Sequence, residues 1–86
     1  RKSAVVLFRA LTAAREAFER GERDAESLRK VMSATLASEP RARTQYVSCA
    51  DYDTLEELGT VTGKALLSMA VFIGKTRLID NFVVGS

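Results

Sequence analysis

Histidine is absent from this 86-residue sequence, and Cys49 is its only cysteine. A zinc site built from histidine and cysteine, or a catalytic triad that needs histidine, therefore cannot be assembled within the chain. An internal disulfide is excluded too, and a lone thiol favours a reducing compartment. We accordingly expect no catalytic residue and no metal site in the chain itself, and a cytoplasmic location.

Long apolar runs are also missing. The longest extends from Ala65 to Ile73 and is interrupted by Ser68, whereas a membrane-spanning helix needs about 20 apolar residues. Apolar residues nevertheless form 47% of the chain, which is ordinary for a folded protein and too high for a disordered one. We therefore expect one folded domain over residues 1–86 and no membrane partner.

A strong excess of one charge is the third feature that the sequence lacks. The net charge is +2, with ten Lys or Arg against six Asp or Glu in residues 1–45, and three against five in residues 46–86. Nucleic-acid-binding domains usually carry a larger and more clustered basic excess. Because acids lie among the arginines of the first half, that half is typical of a solvated helical surface. We expect no nucleic-acid partner.

The sequence does contain the periodicity of two amphipathic helices. Gly21 ends the first helix, Asp24 is a good N-cap for the second, and Pro40 stops it. We predict helices over about 3–20 and 25–38, joined as an antiparallel hairpin. The apolar stripes are Ala4, Leu7, Phe8, Leu11, Ala14 and Phe18 on the first helix, and Ala25, Leu28, Met32, Thr35 and Leu36 on the second.

The second half of the sequence has the pattern of strands. We predict strands over about 45–50, 64–73 and 76–84. Between the last two, Gly74-Lys75 predicts a two-residue type II′ hairpin turn. The expected fold class is therefore α+β, with an N-terminal helical hairpin packed on a small antiparallel three-stranded sheet.

That turn fixes a register, which pairs Ile73 with Thr76 and Met69 with Asp80, and sorts the side chains into two faces. The face assigned to the helices comprises Ala65, Leu67, Met69, Val71, Ile73, Leu78, Phe82 and Val84. The other comprises Leu66, Ser68, Ala70, Phe72, Arg77, Ile79, Asn81 and Val83. This second face is too apolar for bulk water and is rimmed by Arg77 and Asn81, which is typical of a contact surface for another domain.

Gly74-Lys75-Thr76 also resembles the end of a phosphate-binding P-loop. That motif needs a glycine where Met69 stands, and a helix after the threonine, whereas a strand is predicted there. We favour the hairpin turn. Lys75 and Arg77 remain candidates to meet an anion such as a nucleotide phosphate if a second domain lies nearby.

The acidic residues allow a second set of predictions. Asp51, Asp53, Glu56 and Glu57 do not have the spacing of a calcium loop, so we interpret them as a solvated turn, with Asp51 or Asp53 capping one short helical turn. Asp80 falls on the face assigned to the helices and needs a partner there. We expect it to accept backbone N–H groups of residues 58–63 or, alternatively, to orient Arg77 or a loop.

Residues 74–81, Gly-Lys-Thr-Arg-Leu-Ile-Asp-Asn, resemble the closing segment of the pantothenate synthetase family, also called pantoate–β-alanine ligases. Tyr46-Val47-Ser48, Asp51 and Asp53-Thr54-Leu55-Glu56 are similar to a strand and turn of that family. Lys64-Ala65-Leu66-Leu67 with Ala70 is similar to its central strand, and the paired helices to the start of its C-terminal domain. Tyr52 departs from the pattern, since many relatives carry proline there, and this loosens the turn.

The resemblance implies that the chain is the C-terminal lid domain of a ligase in the coenzyme A pathway. The whole enzyme would condense pantoate with β-alanine using ATP and Mg²⁺, through a pantoyl-adenylate and with release of AMP. Its N-terminal Rossmann-like domain would be the partner of this chain, and the full-length enzyme would be a homodimer.

The family's histidine-glycine-histidine and serine-serine-arginine-asparagine runs do not occur in this sequence. No catalytic residue is therefore carried over, and we expect the chain alone to be inactive and to bind no cofactor. The resemblance leaves Lys75, Thr76 and Arg77 as candidates for an ATP-facing turn, and Asp80 and Asn81 as structural residues.

Two alternatives remain open at this point. The chain could be a stand-alone module that binds a protein or, through the arginines of residues 1–45, a nucleic acid, with no enzymatic activity. It could also be a domain that hides its second sheet face by self-association.

Overall fold

Two helices come first along the chain and three strands follow, in a computed structural model that describes residues 5–85. The helices are α1 (Val5–Glu19) and α2 (Ala25–Ala37), and the strands are β1 (Ala42–Asp51), β2 (Ala65–Ile73) and β3 (Thr76–Val84). The strands form one antiparallel sheet in the order β1-β2-β3, with the helices on one side. The predicted α+β fold class is confirmed. Ala4 and the predicted start of the first helix lie outside the described residues.

The link between the helices follows from local capping. Gly21 has φ +111°, its N–H donates to the carbonyl of Phe18 at 2.9 Å, and the N–H of Glu22 donates to that of Ala17 at 3.0 Å. This pair of bonds is the Schellman arrangement, which satisfies the last carbonyls of a helix. Asp24 then caps α2, because its Oδ2 accepts from the N–H of Ser27 at 2.9 Å. The two helices therefore fold back on each other.

The core lies between the helices and one face of the sheet. Its fully buried large side chains come from both layers: Val6, Leu11, Leu28, Met32, Leu36, Cys49, Leu67, Met69 and Val71. On the sheet, the face predicted to meet the helices does so. Ala65, Leu67, Met69, Val71 and Val84 are buried, and the remaining three are partly buried: Ile73, Leu78 and Phe82.

The β2–β3 hairpin has the predicted register. Ile73 pairs with Thr76 and Met69 with Asp80. Gly74 has φ +62°, while Lys75 is not among the residues with positive φ. A two-residue hairpin loop with positive φ at its first position alone is the type II′ turn, and glycine suits that position because it has no Cβ.

Three details differ from the sequence predictions. Strand β1 begins at Ala42 rather than near residue 45, and a bulge interrupts its pairing between Thr44 and Tyr46. Residues 51–58 contain no helical segment, because Leu55 takes φ +65° and turns the chain after a single loop. The prediction that Phe8 belongs to the core is wrong: it is 55% exposed.

The exposure of Phe8 has a geometric reason. Its ring meets that of Phe82 edge-on, with 5.7 Å between centroids, and β3 is the last strand of the sheet. The sheet therefore ends beneath Phe8, and no further strand covers the outer side of its ring.

Neither of the two described helices is long or apolar enough to cross a bilayer.

Candidate functional site

The hairpin end of the sheet holds the residues that the sequence singled out. Lys75 is in the turn and is exposed, and Arg77 is exposed two residues later. Thr76 pairs with Ile73 on the helix side of the sheet, so alternation places Thr76 and Arg77 on opposite faces. The structure therefore brings Lys75 and Arg77 to one end of the hairpin but turns Thr76 away from Arg77. A strand, not a helix, follows the turn, as the hairpin interpretation requires.

Strand pairing arranges the face of the sheet that points away from the helices, here called the outward face, in four rows. Directly paired residues of neighbouring strands lie on the same face. Starting from the hairpin end, the rows are Arg43–Phe72–Arg77, Tyr46–Ala70–Ile79, Ser48–Ser68–Asn81 and Ala50–Leu66–Val83. The outward face is thus basic at the hairpin end, with apolar and polar rows beyond it.

The helices leave this face open. Tyr46 is 40% exposed, Val83 is 46% exposed and Ile79 is 56% exposed. On the other side of the same hairpin Met69 and Val71 have no exposed surface. The mixed apolar face inferred from alternation therefore exists on the folded chain, with Tyr46, Ile79 and Val83 exposed on it and Ala50 and Ala70 buried.

Two arginines that sequence analysis missed join the hairpin end. Arg43 lies over Phe72, with 4.8 Å from its guanidinium carbon to the ring centroid. Nη2 of Arg41 lies 3.9 Å from the position that a Cβ on Gly74 would take. We call Arg41, Arg43, Lys75 and Arg77 the basic end. The first two were missed because the bulge at residue 45 breaks the alternation of β1, so its first residues did not look like a strand.

Arg77 is held across the sheet by an uncharged partner. Its Nε donates to Oε1 of Gln45 at 2.7 Å. Gln45 is the extra residue at the bulge of β1, and a bulge commonly re-aims a side chain in this way. The contact joins the two outer strands over the central one, so it fixes where the guanidinium of Arg77 lies.

Within the acidic cluster, Asp51 stabilises the turn that follows β1. Oδ1 of Asp51 accepts from the N–H groups of Asp53 and Thr54, both at 2.9 Å. These bonds lower the pKa of the Asp51 carboxyl, with the bond from Thr54 contributing most. The capped turn expected at this position is therefore present, with Asp51 as the capping residue, although the turn is not helical.

Glu57 has a different role, which sequence analysis did not find. Its Oε1 lies 3.0 Å from Nη2 of Arg29 and accepts from the N–H of Cys49 at 3.2 Å. Its Oε2 accepts a hydrogen bond from the hydroxyl of Ser48. Nη2 of Arg29 also donates to the carbonyls of Cys49, at 3.1 Å, and Leu58, at 2.6 Å. Arg29 thereby attaches α2 to β1 and to the loop that follows it.

The remaining titratable core group is Cys49. Burial raises the pKa of its thiol above the ordinary value; the charge of Arg29 lowers this pKa and that of Glu57 raises it, both to a smaller extent. A buried thiol with a raised pKa is a poor nucleophile. Its place in the core is consistent with a packing role.

Asp80 does not find the partners that we expected. Its Oδ1 accepts from the N–H of the adjacent Asn81 at 2.8 Å. No hydrogen bond among the described residues joins Asp80 to residues 58–63 or to Arg77. The prediction that Asp80 accepts from residues 58–63 is therefore wrong, whereas its alternative role at a junction with another domain stays a prediction. The reason is the position along the hairpin: Asp80 pairs with Met69, whereas residue 63 lies beside Gly85, beyond the other end of β3.

The described residues contain no group of three or more Asp, Glu or Cys side chains placed to hold a metal ion. Together with the fold, this defines a class of protein: a small α+β domain that presents one basic and partly apolar sheet face and has no metal centre among its described residues.

Comparison with known proteins identifies the family. The model of the pantoate-beta-alanine ligase family matches residues 1–83, so the chain belongs to this family. It is 57% identical over 84 residues to pantothenate synthetase of Roseiflexus sp. (strain RS-1), which covers 98% of this chain and 30% of that protein. The pantothenate synthetase of Herpetosiphon aurantiacus is 54% identical, covering 98% of this chain and 31% of that protein.

A solved structure agrees with these sequence matches. The crystal structure of pantothenate synthetase from Thermus thermophilus superposes with a TM-score of 0.87 and 34% sequence identity. The match covers 95% of this chain and 29% of that one. The chain therefore spans about 30% of the length of the relatives that it matches.

Proposed function

We propose that this chain is the C-terminal domain of a pantothenate synthetase and acts as a lid on the active site of the whole enzyme. The reaction would be the ATP-dependent, AMP-forming condensation of pantoate with β-alanine to pantothenate. The observation that carries the proposal is the match of nearly the whole chain to about 30% of pantothenate synthetases. The remaining part of the enzyme, which we expect to include a Rossmann-like domain and the dimer contacts, would hold the substrates.

The open sheet face supports the lid role. Half-exposed apolar side chains such as Ile79 gain stability when a second surface removes them from water. A closed lid also keeps water away from a reactive acyl-adenylate, which would otherwise hydrolyse. We therefore assign to this domain the exclusion of water rather than a chemical step.

Within this proposal the hairpin turn faces ATP. Lys75 and Arg77 carry charges that suit phosphate oxygens, and Thr76 begins the strand behind them. Mg²⁺ would accompany ATP, but no metal-ligand cluster exists among residues 5–85, so we assign no magnesium ligand to this chain. The proposed location of the enzyme is the cytoplasm.

A chimeric enzyme tests the proposal. The matching 84 residues of the Roseiflexus sp. enzyme would be replaced by this chain, and pantothenate formation from pantoate, β-alanine and Mg-ATP measured. We expect activity within about tenfold of the parent, since the packed core is formed by the chain itself. The 86-residue chain alone should give none. An inactive but folded chimera, or turnover by the chain alone, would contradict the proposal.

A further inference from the structure

The basic end has more positive charge than the fold needs. Arg41, Arg43, Lys75 and Arg77 are all exposed, and both salt bridges found in the described part of the chain involve Arg29 instead. Glu39 is the nearest acid along the sequence, and its Oε2 accepts from the backbone N–H of Arg41 at 3.0 Å. No ion pair among the described residues neutralises these charges, so they remain available to an anion.

The two arginines of the outermost row are held by uncharged groups. Arg43 rests on the ring of Phe72, and Arg77 donates one hydrogen bond, from Nε, to Gln45. A guanidinium has five N–H donors, so most of those on Arg77 have no partner in this contact. Both side chains are thus partly ordered while their charge stays available.

The spacing of this row suits an extended anion. Arg43 and Arg77 flank Phe72 on the two outer strands, and neighbouring strands lie about 4.8 Å apart, so the two backbones are roughly 10 Å apart. Two forked guanidiniums at that separation can each take a different phosphoryl group of one chain. Arg41 lies beside the turn, with its Nη2 3.9 Å from the position of a Cβ on Gly74.

We infer that the basic end is a binding site for the polyphosphate group of a nucleotide or for pyrophosphate, with Arg43 and Arg77 as its two main ligands. The inference deepens the proposed function, on which it rests for the identity of the anion as the triphosphate of ATP or the pyrophosphate product. It adds Arg41, immediately before β1, and Arg43, on β1, to the turn residues. It also changes the expectation for the chain alone from no binding to weak binding.

The first test is a titration of the 86-residue chain with tripolyphosphate at low salt, followed by NMR. We expect saturable shifts at the amides of residues 43 and 74–77, with affinity in the millimolar range. Removing both charges in Arg43→Gln/Arg77→Gln should weaken binding at least about fivefold. The matched control Arg20→Gln, at the exposed position immediately after the first helix, should change it less than twofold. Circular dichroism verifies that each variant is folded.

Several outcomes would overturn the inference. They are the absence of saturable shifts, equal weakening by Arg20→Gln, and binding of glutamate peptides or of a single-stranded oligonucleotide at least as tight as that of tripolyphosphate. Tighter binding of glutamate peptides would identify the basic end as a contact for an acidic protein surface, and tighter binding of the oligonucleotide as a contact for nucleic acid.

A second measurement uses the chimeric enzyme. Arg43→Gln/Arg77→Gln should weaken ATP binding, measured by calorimetry without pantoate, at least about fivefold, while the control changes it little. Unchanged ATP binding in an active chimera would overturn this inference alone, whereas an inactive parent chimera would count against the proposed function.

Discussion

The two faces of the β2–β3 hairpin differ in what covers them, although both belong to the same strands. On the helix side Met69 and Val71 are fully buried; on the outward side Ile79 and Val83 are about half exposed. Since side chains alternate along a strand, one sequence pattern serves two purposes. The face on the helix side forms the core, and the outward face remains available for contact with another surface.

The largest expected difference between the two faces is in the stability that the chain loses when a side chain of each face is shortened. Met69→Ala should lower the free energy of unfolding by about 2–5 kcal/mol, because it leaves a cavity among buried side chains. Ile79→Ala on the outward face should lower it by less than about 1 kcal/mol. Urea unfolding of the isolated chain measures both. Equal losses would mean that the outward face belongs to the core.

A smaller loss of stability is expected from a substitution at Arg29, which attaches α2 to the edge of the sheet. Arg29→Ala should lower the free energy of unfolding by about 1–3 kcal/mol, because Glu57 and the carbonyls of Cys49 and Leu58 lose the hydrogen bonds that Arg29 donates. The matched control is Lys30→Ala, at the exposed neighbouring position. If both substitutions have the same effect, Arg29 does not join the two layers.

The smallest expected effect is that of Asp51 on how the stability of the fold depends on pH. The pKa of Asp51 is lowered in the folded chain, so its charged form stabilises the fold above the unfolded-state pKa of about 3.9, and this contribution is lost as pH falls through the lower folded-state pKa. Asp51→Asn keeps acceptors for Asp53 and Thr54 but does not titrate. We therefore expect the wild-type chain to lose more stability than Asp51→Asn as the pH falls through this range.

The control for this prediction is Asp53→Asn, because the Asp53 carboxylate accepts no hydrogen bond among the described residues. This variant should follow the wild-type chain during acid unfolding monitored by circular dichroism. An identical pH dependence of the wild-type chain and Asp51→Asn would contradict the role given to Asp51.

Local patterns made most of the fold predictable. The 3.6-residue period of the helices and the capping residues Gly21 and Asp24 indicated the helical hairpin, and Gly74 with strict alternation fixed the register of β2 and β3. The start of β1 was not predictable in this way, because the bulge at Gln45 changes which residues share a face. The exposure of Phe8 depends on where the sheet ends.

The candidate site was less predictable than the fold. Lys75 and Arg77 are close in sequence to a recognisable turn, so they were found. Arg41 and Arg43 reach the same place only because β1 pairs with β2 far along the chain. The partners of Arg29 are likewise 20 to 29 residues away, and no local pattern links them. Family resemblance identified the family but did not reveal these contacts.

The most direct test of the account places a charge on the outward face. In the chimeric enzyme Ile79→Asp should lower kcat/KM at least about tenfold, because the carboxylate would be buried against the rest of the enzyme. The isolated chain should lose about 1 kcal/mol of stability or less, and Ala34→Asp on the exposed side of α2 should leave kcat/KM unchanged. A folded Ile79→Asp chimera with full activity would show that the outward face does not meet the rest of the enzyme.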